Sequence, residues 1–316
     1  MATMTDTLKQ GALKGLSGFF WMAKIVVPVS YGTAILAWTG VLDALTVLLK
    51  PFMHHLGLPA VGAVPLIVGA LTSVYGGIAA MSVLPFTTGE MILLANFILI
   101  CHNMIQETII QSQSGIKAWK AVTVRVLAAV ATVYVLQFFI GTTPHDDVPA
   151  GIAQPAIRQG FVDMTLAWGV STARLCLKIF VIIMGIMTVL EVAKAKNWIT
   201  WIVKATSPLL RILGLSQRVG VLWMTAVVFG LAYGGAVIVE EAKNADLTPE
   251  DLESLHLSVG VNHSMVEDPM LFLPLGLPAF WLWVPRLVTA VCITWCLSLG
   301  IHLLSSRARA MRRSSS

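Results

Sequence analysis

The apolar runs of this chain are long and almost free of charge, and several reach the roughly 20 residues that cross a bilayer. The first predicted span covers about 17–40. Residues 43–56 mix Leu45, Val47, Leu48 and Phe52 with Lys50, His54 and His55, the pattern of a helix lying in the interface. A span at about 60–82 is expected to break at Tyr75-Gly76-Gly77. A polar-interrupted stretch follows at 88–113, then a span at 118–141. After the turn-rich segment 142–168, with Pro144, Pro149, Gly151 and Pro155, the order repeats. There is a span at 170–193, an amphipathic basic stretch at 194–215, and a span at 218–239 carrying Tyr233-Gly234-Gly235. A second polar-interrupted stretch at 253–275 leads to a last span at 279–304.

The repetition reaches individual residues. Cys101-His102-Asn103-Met104-Ile105-Gln106-Glu107 returns as Asn262-His263-Ser264-Met265-Val266-Glu267-Asp268, with the histidines 161 positions apart. Arg125 and Arg286 are separated by the same 161, and the two Tyr-Gly-Gly triplets by 158. Small, steady drifts of this kind mark a duplicated unit with loop insertions.

Composition agrees with the pattern. Over 316 residues the chain is 57% hydrophobic and only 12% charged, whereas a soluble globule carries roughly a quarter charged residues. The expected fold is therefore an all-α polytopic membrane protein. The placement of charge then orients the repeats. If both polar-interrupted stretches cross the membrane alongside the other spans, the repeats are parallel and basic loops fall on both sides. If each stretch dips in and returns as a re-entrant hairpin, each half has three crossings. Both termini, Lys117/Lys120 and the 194–218 segment then share the cytoplasmic side, as the positive-inside rule asks. The acidic 240–253 loop and the linker fall outside. This predicts two inverted repeats, about six transmembrane helices, two re-entrant helical hairpins and interfacial helices, with the knots at the hairpin tips. Arms such as Thr88–Cys101 run to about 20 Å, past the middle of a core about 30 Å thick.

The expected divisions are a cytoplasmic N-terminal segment 1–16, a first repeat 17–141, an extracytoplasmic linker 142–168, an inverted second repeat 169–304 and a basic cytoplasmic tail 305–316. The four cysteines lie in apolar segments, which argues against a secreted disulfide framework. The basic tail suits a juxtamembrane position and needs no nucleic acid. No nucleophile–base pair, phosphate-binding Gly-x-x-x-x-Gly-Lys loop or His-Glu-x-x-His helix occurs, so no enzyme and no cofactor are expected.

The Gly-broken spans and the polar knots resemble those of the Gate, or nucleoside-recognition, domain family of bacterial membrane proteins. Similar domains occur in spore-maturation membrane proteins, in the membrane part of ferrous-iron transporter B and, more distantly, in concentrative nucleoside transporters. The resemblance covers nearly the whole chain as two Gate units. It implies a bacterial inner-membrane location, a nucleoside-like solute and a second Gate-domain subunit or a homo-oligomer as partner.

Ionisable groups at membrane depth are costly and are read as functional. The candidate substrate-binding residues are His102, Asn103, Gln106, Glu107, His263, Ser264, Glu267 and Asp268. Helical spacing sets His102 with Gln106, and Asn103 with Glu107, as i,i+4 pairs. Tyr75, Gly76, Gly77, Tyr233, Gly234 and Gly235 are candidate helix-break or gating residues. Arg125 and Arg286 are candidate charge partners of the acidic groups, against the alternative that they snorkel to the interface. The function this points to is a secondary transporter of a small polar solute, bound between the tips at the membrane midplane, with H+ or Na+ as candidate coupling ion. A divalent metal ion transporter and a non-transporting scaffold or complex subunit are the alternatives. Differences between the copies, Gln106 against Glu267 above all, predict an asymmetric site with more charge on the second knot.

Overall fold

Helix α1 (Met4–Thr39) opens at a reciprocal cap, in which Thr3 accepts the Asp6 N–H and the Asp6 carboxylate takes the Thr3 N–H, and it stops at Gly40, whose φ of 77° only glycine adopts without strain. Its partner is α8 (Phe161–Ala195), which packs along most of its length. Tyr31 and Trp168 meet as tilted rings at 4.5 Å and Trp38 meets Phe161 at 5.5 Å. Near the other end Lys14 pairs with Glu191 at 2.8 Å. The two helices are therefore antiparallel. They are also the first spans of the two repeats, so the repeats are inverted.

Small residues let these helices approach. A Cβ on Gly11 would lie 2.7 Å from the Thr188 Cα, against backbone that cannot step aside. Gly11→Ala should cost about 1–3 kcal/mol, while Gly32→Ala, with nothing within 4 Å of the new methyl, should cost nothing. Thermal unfolding in detergent checks this, and equal melting of the two variants would remove the close-packing argument.

The computed structural model describes residues 3–141, 160–196, 198, 201, 207–228, 230–231, 239 and 247–314, with backbone alone at 42–48, 207 and 297–314. After α1 come α2 (Val41–His55), α3 (Ala63–Leu71), α4 (Val74–Met81), α5 (Thr88–Cys101), α6 (Met104–Gln113) and α7 (Ala118–Ile140). Beyond α8 follow α9 (Ser207–Ile212), helical turns over 220–228, α10 (Pro249–Asn262), α11 (Glu267–Met270) and α12 (Ala279–Ser314). No strand occurs among the described residues. Among the described residues, five helical segments are long and apolar enough to cross a membrane: Met4–Thr39, Thr88–Gln113, Ala118–Ile140, Phe161–Ala195 and Ala279–Cys296. A sixth is added if Leu49–His55 and Ala60–Leu71, bent by 94°, make one span. The chain is an all-α polytopic membrane protein.

In the first half the hairpin and the broken span exchange the places expected from sequence. Helices α3 and α4 pack on each other around a tip at Thr72-Ser73. Nine and eight residues give arms of only about 13 and 12 Å, well short of a bilayer core. The pairing depends on glycine, since a Cβ on Gly69 would lie 3.5 Å from the Gly77 Cα. The stretch 88–113, by contrast, does not fold back at His102. Helices α5 and α6 form one 26-residue unit of span length, and both lie against α7. A 14-residue arm fits a hairpin or half of a broken span equally well, so length alone could not separate them.

The glycine pair is also not a helix break. Helix α4 runs through Gly76 and Gly77; the interruption comes before it, where Ser73 accepts the Gly76 N–H. A Cβ on Gly77 would meet Ile98 at 2.8 Å, so this glycine lets α5 approach. Tyr233, Gly234 and Gly235 lie outside the described residues, as does most of the linker.

The mouths of α5 and α10 repeat one another. Thr87 and Glu90 form a reciprocal cap, as do Thr248 and Asp251. Lys120 at the start of α7 pairs with Glu253 on α10. The far end of α7 instead meets the end of α2, through Gln137 and the His55 carbonyl at 3.1 Å. The acidic start of α10 therefore sits at the same end of the molecule as Lys117 and Lys120. For the described end of the acidic loop, 247–253, the expected placement on the opposite face is corrected: once 88–113 crosses as a span and 63–81 takes the hairpin role, the matching segment of the second half enters from the Lys120 side.

Candidate functional site

Each broken helix ends at a histidine. At His102 the backbone leaves α5 with φ −75° and ψ 161°, and at His263 it leaves α10 with −73° and 162°. The next residues, Asn103 and Ser264, take left-handed conformations at φ 49° and 50°, and are the two non-glycine residues with positive φ among those described. Serine in that region is uncommon and strained. The strain is held by matching backbone bonds to the neighbouring helices: the Asn103 N–H donates to the Gly69 carbonyl at 3.1 Å, and the Ser264 N–H to the Ala226 carbonyl at 3.0 Å.

A helix that stops inside a membrane bares its last carbonyls, and there is no water to meet them. The two arginines do so. Arg125 donates from Nε to the Ile100 carbonyl at 2.9 Å and from Nη2 to the His102 carbonyl at 2.8 Å. Arg286 repeats this on Val261 at 3.1 Å and His263 at 2.8 Å. Their cationic heads also sit where the negative ends of the half-helices lie. Both are buried, with 1% and 0% exposure, so neither snorkels.

The histidines turn inward and meet. Nδ1 of His102 lies 3.0 Å from the Ile98 carbonyl, and Nδ1 of His263 lies 3.0 Å from the Val259 carbonyl. A carbonyl only accepts, so both Nδ1 atoms carry hydrogen and both Nε2 atoms face the centre. The Nε2 atoms are 3.2 Å apart. Glu107 Oε1 stands 3.3 Å from that of His102 and 3.1 Å from that of His263, while its Oε2 pairs with Arg125 Nη1 at 2.8 Å. Asp268 Oδ2 approaches His102 Nε2 at 3.3 Å and has no hydrogen-bond donor. All four residues are buried.

Four of the eight expected binding residues thus converge: His102, Glu107, His263 and Asp268. The other four do not. Asn103 Nδ2 donates to Gln106 Oε1 at 3.2 Å, on the outer side of α6. Ser264 is buried at the second break. Glu267 accepts from the Tyr75 hydroxyl at 2.7 Å, across the repeat boundary, and Trp21 packs edge-on to that ring at 5.6 Å. Tyr75 is therefore an anchor for the second knot. The expected i,i+4 rows fail because His102 terminates its helix: its side chain meets Glu107 across the break, not Gln106 one turn on. The expected asymmetry is present but reversed in weight. Glu107 of the first knot touches both histidines, while Glu267 of the second is diverted to Tyr75. Arg125 finds its predicted acidic partner; Arg286 Nη1 has none, nor does either polar atom of the buried Asn262 side chain.

Several contacts around the site were not anticipated. Asn96 in the middle of α5 donates to the Ile92 and Trp281 carbonyls at 2.9 and 2.8 Å. Gln111 Nε2 donates to the His256 carbonyl at 3.0 Å, and His256 Nε2 lies 3.1 Å from the Ser114 carbonyl, clasping α10 to the end of α6. A lone Asn or His within an apolar run was the available signal.

Among known proteins, the chain is 28% identical over 300 residues to the uncharacterized membrane protein YvoD of Bacillus subtilis (strain 168). The alignment covers 92% of this chain and 95% of that protein. No family model and no solved structure matches.

Proposed function

We propose that the protein is a secondary transporter whose solute binds where the two broken helices meet. The observation that carries this reading is the convergence of His102, Glu107, His263 and Asp268 from two inverted, discontinuous helices onto one buried point. Inverted repeats with interrupted helices at their interface are the arrangement by which one half rocks against the other and exposes a central site to alternate sides. A packing element needs no such cluster, because buried ionisable groups oppose stability. The unmatched polar atoms of Asn262, Asp268 and Arg286 also favour a site that closes around something.

The resemblance to Gate domains makes a nucleoside-like solute one candidate, with the protein in the bacterial inner membrane and both termini cytoplasmic. The ionisable lining supports a charged solute equally well. A screen in proteoliposomes, covering nucleosides, amino acids and divalent cations, tests the reading. Uptake of at least one class above that of empty liposomes is expected. If none moves in either direction of imposed gradient, the transport reading fails and a scaffold role takes its place.

A further inference from the structure

We infer that the cargo is a divalent transition-metal cation, bound by His102 Nε2, His263 Nε2 and Glu107 Oε1, with Asp268 beside His102 as a carboxylate that assists from outside that triangle; as cargo, though not as a binding site, this rests on the transport reading. The first ground is the count of donors. With both Nδ1 atoms committed to backbone carbonyls, each neutral imidazole presents a lone pair at Nε2. Two lone pairs and a carboxylate oxygen then face one another, three acceptors with no donor between them. A single cation among them meets all three at once. A proton on His102 Nε2 faces both neighbours but leaves His263 Nε2 and Glu107 Oε1 opposed at 3.1 Å.

The second ground is the shape of the triangle. Its edges are 3.2, 3.3 and 3.1 Å, close to equal. Ligand atoms on a tetrahedral zinc ion at about 2.0–2.1 Å stand about 3.3–3.4 Å apart. An ion at that distance from all three corners sits about 0.9 Å off their plane, leaving a fourth position open. Asp268 Oδ2, beside His102 and without a donor, stands outside the triangle of His102, Glu107 and His263, so the fourth position is left to water or solute. The donor set of two imidazoles and carboxylates selects zinc, iron(II), cobalt(II) or manganese(II) over calcium or magnesium.

The surroundings orient these atoms as they would for a metal. The Nδ1–H bonds to carbonyls fix both tautomers and aim both rings. Arg125 holds Glu107 Oε2, which leaves Oε1 as a single-oxygen ligand. One cation also draws a ligand from each repeat, so losing it would free the halves to separate, the coupling that alternating access needs.

The test uses the purified full-length protein in detergent, treated with chelator and titrated with cobalt(II) and then zinc. Tetrahedral cobalt(II) gives a strong visible absorption that octahedral aqueous cobalt(II) lacks. One equivalent is expected to produce it, and zinc to abolish it by displacement. His102→Ala, His263→Ala and Glu107→Gln should each weaken binding at least about 100-fold, whereas His54→Ala with His55→Ala, both exposed at the end of α2, should leave it unchanged. Asp268→Asn, a milder change expected to weaken binding and leave melting intact, separates an effect on the site from loss of fold. X-ray absorption at the zinc edge should report two imidazoles with oxygen ligands. Absence of cobalt binding by the native chain, or binding untouched by all four site variants, overturns the inference. Nucleoside uptake that is indifferent to chelator, with no bound metal, would also overturn it while leaving transport standing. Metal bound at the site with no flux would instead overturn the transport reading alone.

Discussion

Arg125→Met is expected to destabilise the protein by about 3–5 kcal/mol, the cost of stranding a buried charge whose partner is removed. Glu107 is buried and its Oε2 rests on Arg125 Nη1 at 2.8 Å. The same substitution bares the carbonyls of Ile100 and His102, which no water replaces. Arg286→Met is the internal comparison. It bares two carbonyls in the same way, but no carboxylate lies within ion-pair distance of Arg286 among the described residues, so a smaller loss is expected. Lysine should not rescue position 125, since one ammonium cannot reproduce the planar fork that serves two carbonyls and a carboxylate together. Chemical unfolding in detergent measures the three variants. Combining Arg125→Met with Glu107→Gln should recover part of the loss, because the stranded charge is gone. Equal losses at 125 and 286, or no recovery in the double variant, would show that the ion pair does not organise the centre.

The second large effect belongs to Glu107→Gln, expected to remove cation binding and flux while keeping side-chain volume. Its Oε1 is the one carboxylate oxygen among the described residues that reaches both imidazoles, so the loss should exceed the about 10–100-fold seen when a group that only orients a ligand is removed. Asp268→Asn, which touches His102 alone, should fall within that range. Paired titrations of the two variants check the order. A larger loss at Asp268 would mean that the second knot dominates, as the count of acidic residues in the sequence suggests.

That count misled for a physical reason. Glu267 and Asp268 are adjacent, and neighbours on a helix point about 100° apart, so both cannot face one centre. Glu267 turns to Tyr75, a contact between residues 192 positions apart that no local pattern predicts. The duplicated histidines, the matched arginines and the inversion were legible because they follow from repetition and from where basic residues sit. The pairing of α1 with α8, antiparallel through Gly11 and Gly15, is the physical form of that inversion. What was not legible was which polar segment folds back. Gly76 and Gly77 looked like a break, yet a glycine inside a helix serves close packing as readily as unwinding, and Ile98 pressing on Gly77 decides it. The true break lies at His102 and Asn103, where Asn tolerates the left-handed turn and an arginine 23 residues further on waits for the freed carbonyl.

The knots therefore gain a definite role. They are the interruptions of two inverted spans, capped by arginines and joined through a histidine pair. Transport through this point is the central claim, and zinc influx into proteoliposomes holding a trapped fluorescent zinc indicator measures it most directly. The native chain should bring zinc in faster than empty liposomes, and His102→Ala with His263→Ala should reduce the rate to that of the empty liposomes. Influx in the double variant equal to that of the native chain would contradict the account.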